Sequence, residues 1–127
     1  MIKFLTSITR RIRQAMKDRG IHKTGTIVVD DFGFQVIDAK QNRNPVRWND
    51  VNRIQAFKRD LFSVDLICFQ FHLDGTEQLV EVDEQMDGFA VFEKILPEKF
   101  KGFDCDWFPK VAHPAFATNL TEIWIRP

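Results

Sequence analysis

The sequence predicts an α+β domain, mainly β: a small antiparallel barrel or sandwich of six to seven strands with two helices. Three observations carry this. Apolar and polar residues alternate in short runs from Thr24 to Asp83, joined by links too short for parallel crossovers. Asp74-Gly75 sits between two such runs, the strongest short-range hairpin signal. After Asp83 the apolar period lengthens to three and four, which marks a helix.

The elements follow in order. Leu5, Ile8, Ile12 and Met16 form one stripe in residues 2–19, and Gly20 follows as a cap, so 1–20 reads as an amphipathic helix. Thr24 to Asp30 and Gly33 to Asp38 read as strands around Asp31-Phe32, and Lys40 to Pro45 as a polar loop. Val46 to Trp48 and Val51 to Lys58 read as strands around the Asn49-Asp50 bend, with Asp60 to Ser63 as a link. The hairpin then pairs Val64–Leu73 with Thr76–Asp83. A two-residue loop puts Phe69 opposite Val80 and Ile67 opposite Val82 on one face, and His72 opposite Glu77 and Cys68 opposite Glu81 on the other. Asp87 can cap a helix near 87–96 that packs Phe89, Phe92 and Leu96 on the sheet, with Pro97 stopping or restarting it. The remainder carries Trp107, Phe108, Phe116 and Trp124, and Glu122 to Arg126 alternates like a last strand.

The 127 residues suffice for one domain with its own core, organised as the helix of 1–20, a core at 24–96 and an aromatic extension at 97–127. Thirteen Phe, three Trp and no Tyr describe a core filled with apolar area that has no hydroxyl to satisfy. Eighteen basic and eighteen acidic residues cancel, so no global field draws in nucleic acid, and a nucleic-acid partner is not expected. The first residues interleave basic with apolar and do not read as a signal peptide, and no run is long enough to span a membrane; a cytoplasmic protein is expected. Cys68 and Cys105 lack any metal-ligand spacing, and Cys68 reads as a small buried hydrophobe.

Val46-Arg-Trp48-Asn-Asp50-Val51-Asn-Arg-Ile54 resembles a strand–bend–strand of bacterial pleckstrin-homology-like domains. The Asp74-Gly75 hairpin and the Gly88-Phe89 helix fit the same layout, so the resemblance covers about Gly25 to Leu96. It implies a small barrel that acts as a binding platform and not as an enzyme. Lipid-headgroup binding in that family relies on basic residues near the first hairpin. Asp30-Asp31-Phe32-Gly33 is acidic there, with Lys40, Arg43 and Arg47 following on the next loop.

No nucleophile elbow, phosphate loop or dinucleotide fingerprint is present, and His22, His72 and His113 stand at no metal spacing. No catalytic residue, metal or cofactor is therefore expected. The leading expectation is a non-catalytic protein-interaction module, in a narrower version a bacterial immunity or accessory protein, whose partner surface includes His72, Glu77, Glu81, Asp83 and Trp124. Trp124 at a sheet edge could also join two copies in a homodimer. The first alternative is peripheral binding to anionic membrane through Arg10, Arg11, Arg13 and Lys17. The second is a small enzyme using the Glu81 and Asp83 carboxylates.

Overall fold

A computed structural model describes residues 25–61, 64–114 and 117–127. The amphipathic helix expected at 1–20, with Arg10, Arg11, Arg13 and Lys17, lies outside the described residues, as do Ser63 and Phe116. Among the described residues, seven strands and two helices run in the order β1 (Gly25–Val29), β2 (Gly33–Asp38), β3 (Arg43–Arg47), β4 (Val51–Leu61), β5 (Val64–Leu73), β6 (Leu79–Asp83), α1 (Phe89–Lys99), α2 (Trp107–Ala112) and β7 (Thr121–Ile125). A 3-10 turn, Trp48–Asp50, links β3 to β4.

The strands form two antiparallel sheets, β1-β2-β3 and β6-β5-β4-β7, and not a closed barrel. The two sheets are tied at one seam through Asp87: Ile27 N–H donates to its carbonyl at 2.8 Å, and its own N–H donates to Gly25 O at 3.0 Å. β3 is the other end of its sheet and pairs only with β2. Pro45 explains how a strand can form there. Trp48 N–H donates to Phe32 O, and Asp38 N–H to Asn42 O, which makes even-numbered β3 residues the ones bonded to β2. The odd residue Pro45 therefore lacks its N–H on the free side, where no ladder bond is lost.

Between the sheets and α1 lies an aromatic core. Phe34 on β2 sits 4.7 Å from Phe92, 5.0 Å from Phe71 and 5.4 Å from Trp48, ring centre to ring centre. Phe69 meets Phe89 at 5.4 Å and Trp107 at 4.9 Å. The hairpin residues thus face the helix residues that the sequence pattern assigns to them. α1 continues through Pro97 to Lys99 instead of stopping there.

The hairpin register differs from the two-residue expectation by two positions. Phe69 pairs with Val82 and Phe71 with Val80, so Phe69 is not opposite Val80, nor Ile67 opposite Val82. Asp74 is the cause. Its N–H donates to Asp50 O at 2.8 Å, and its carboxylate accepts from Asn52 Nδ2 at 3.0 Å and Arg126 Nη1 at 2.8 Å. Held against β4 and the end of β7, Asp74 opens the loop to 74–78, which Thr76 closes by accepting the Gln78 N–H at 3.0 Å. A shift of two preserves facing, because side chains alternate with period two.

Candidate functional site

β4, β5, β6 and β7 carry a polar row on the face turned away from the core. Arg53, Gln55 and Arg59 alternate on β4 with the buried Ile54, Ala56 and Lys58, so they share that outward face with Gln70 and His72 of β5. The groups are paired with one another. Arg59 grips Glu81 with two bonds of 2.8 and 2.7 Å across β5. Arg53 forms an ion pair with Glu122. Gln55 Oε1 accepts from Gln70 Nε2 at 2.6 Å and lies 2.8 Å from His72 Nε2, which therefore carries the ring proton. Burial, helped by the Arg53 charge and opposed by Glu122, holds the His72 pKa below its ordinary value.

The expected partner residues separate on this frame. His72 lies opposite Leu79, not Glu77, and Cys68 opposite Asp83, not Glu81. Glu77 falls in the exposed loop before β6, because Asp74 has widened the turn. Glu81 is occupied by Arg59. Asp83 is buried, and its Oδ1 accepts the Gln85 N–H at 2.9 Å. Trp124 turns inward at its ring: the indole N–H donates to Lys101 O at 2.8 Å, and Phe100 lies 4.7 Å away. Burial, reinforced by Glu81, raises the Cys68 thiol far above its usual range, which keeps it protonated. Among the described residues, no three His, Cys, Asp or Glu groups gather in a way that could hold a metal ion.

A second place is built from segments far apart in the chain. A groove of about 370 Å³ opens on the β3 side, where the β1–β2 turn, β3 and the β5–β6 loop meet. Phe34, Val46 and Leu73 contribute apolar lining; Asp30, Arg47, Asp50 and Asp74 contribute charge. Two of these charges are already used. Asp30 Oδ1 accepts the Phe32 and Gly33 N–H groups at 2.8 and 2.9 Å, which shapes the turn, and Asp74 holds Asn52 and Arg126. Arg47 and Asp50 have no side-chain partner among the described residues. Phe32, also lining the groove, is 77% exposed. The acidic turn was visible in the sequence, whereas its meeting with Arg47, Asp50 and Leu73 was not.

The chain matches no protein family, no curated protein and no solved structure. No described helix is long and apolar enough to cross a membrane.

Proposed function

We propose that this chain is a non-catalytic protein-interaction module on a pleckstrin-homology-like scaffold, and that it takes its partner at the β3-side groove. One observation carries the reading: exposed Phe32 stands in a groove with two charges, Arg47 and Asp50, that have no described partner. An aromatic anchor beside uncommitted charges is what a protein interface uses for affinity and orientation. The polar face of the four-stranded sheet offers less, since its arginines and glutamines are already bonded to neighbours. An enzyme built on Glu81 and Asp83 finds its two carboxylates engaged by Arg59 and the Gln85 amide, away from the groove.

The test compares two variants of the full chain in affinity capture with mass-spectrometric readout. Phe32→Ala with Arg47→Glu alters the groove; Arg53→Ala with Glu122→Ala alters the sheet face. A partner retained by the wild type and by the sheet-face variant, and lost with the groove variant, supports the reading. Loss with the sheet-face variant alone moves the site to that face, and a wild type that retains nothing specific sinks the proposal.

A further inference from the structure

The strand that borders the groove, β3, leaves its hydrogen-bonding groups open. Asn44 and Val46 bond to β2, so the backbone of Arg43, Pro45 and Arg47 turns to the free side. Arg43 N–H and C=O, Pro45 C=O and Arg47 N–H have no backbone partner among the described residues. The strand is also open to solvent: Arg43, Asn44, Pro45 and Arg47 are exposed, and Val46 alone is buried. The other sheet edges are partly taken. Asp87 bonds to Gly25 and Ile27 on β1, Asp83 O of β6 accepts the Met86 N–H at 3.1 Å, and Ile123 O of β7 accepts the Asp104 N–H at 2.9 Å.

Charge selects what such an edge can accept. Arg43 and Arg47 share one face of β3, with Pro45 between them. Arg43 reaches the neutral amide of Gln35 at 3.3 Å, and neither arginine forms an ion pair among the described residues. A second copy of β3, pairing antiparallel about Pro45, would set Arg43 opposite Arg47 twice over. Like charges directly opposed destabilise a strand pair, and each proline withholds an N–H from the ladder. The edge therefore rejects its own kind. A strand with an acid opposite each arginine gains two cross-strand ion pairs instead. Its intervening side chains point to the other face, toward the apolar lining of Phe34, Val46 and Leu73. We propose that the partner enters the groove as an extended acidic-apolar segment added to β3 as a strand, with acids at positions i and i+4 meeting Arg43 and Arg47. Main-chain bonds supply affinity in this mode, and alternate side chains supply selectivity. The inference rests on the groove reading above and names the chemistry of its partner.

Three end-blocked, fluorescein-labelled peptides, titrated with the full chain and read by anisotropy, test this. The first is Val-Glu-Val-Thr-Val-Glu-Val; the second carries lysine for both glutamates; the third keeps the glutamates but is N-methylated at them and at the threonine. The first should bind, and the other two should bind about tenfold more weakly or worse. Arg43→Glu with Arg47→Glu should reverse the preference toward the lysine peptide. Amide exchange at Arg43 and Arg47 should slow when the first peptide is bound. Equal binding of the first two peptides, full binding of the N-methylated one, or no binding of the first overturns the proposal. If the arginine variant fails to fold, the three peptides on the wild type decide alone. A peptide that binds, weakens with Phe32→Ala and leaves both arginine amides unprotected overturns strand addition while the groove reading stands. So does a captured partner that the groove variant loses when the first peptide does not bind.

Discussion

His72 carries a pH signature in the range where proteins are handled. Its folded pKa is depressed, chiefly by burial, so the unfolded chain takes up the proton more readily. Stability is therefore full where histidine is neutral in both states and falls as pH drops through the ordinary histidine value. His72→Gln should flatten the fall in urea midpoint between about pH 7 and pH 5, relative to the wild type. An equal fall in both proteins would show that His72 is not the group responsible. Lys58 is the other informative side chain. It occupies an inward position of β4, 4% exposed, where Ile54 and Ala56 precede it. Its ammonium donates to Ala112 O at 2.9 Å and Pro114 O at 2.5 Å and lies 3.2 Å from Asp65 Oδ2. Lys58→Met keeps the stem but removes the buried ammonium's bonds to Ala112 O and Pro114 O and its ion pair with Asp65, and should cost about 3 kcal/mol in urea unfolding.

At the scale of elements, the strand faces were legible and the strand ends were not. Parity alone assigns Phe69, Phe71, Val80 and Val82 to the core, and parity survives the two-residue change of register. The register itself depended on Asp74 reaching Asp50, Asn52 and Arg126, residues that no local pattern connects to the turn. β3 starts at Arg43, within the stretch that reads as a loop, because an edge strand with only Val46 buried has no alternation to show. α2 was missed for a different reason: six residues make under two turns, too few for a helical period. Gly33 shows how closely β2 and β3 approach. A Cβ built there would lie 1.8 Å from Val46 O, so Gly33→Ala must push the strands apart. The expected loss is at least about 2 kcal/mol by urea denaturation. It should be accompanied by changed amide exchange in β3 but not in β5.

For the molecule as a whole, two sheets tied at one seam leave surface at the other, and the groove occupies it. Because Phe32 is exposed and outside the core cluster, Phe32→Ala should leave the melting temperature within about 2 °C of wild type. A larger drop would mean that Phe32 holds the fold together and is not kept for a partner. The groove escaped the sequence reading because it joins residues from positions 30 to 76, and only folding brings them side by side. The two thiols bear on a separate matter, the handling of the protein. One is sealed within the sheet and the other open beside α2, so air oxidation has a single exposed sulfur to act on. A disulfide-linked dimer formed in storage would therefore be joined at Cys105, and Cys105→Ser would distinguish that artefact from self-association through a sheet edge.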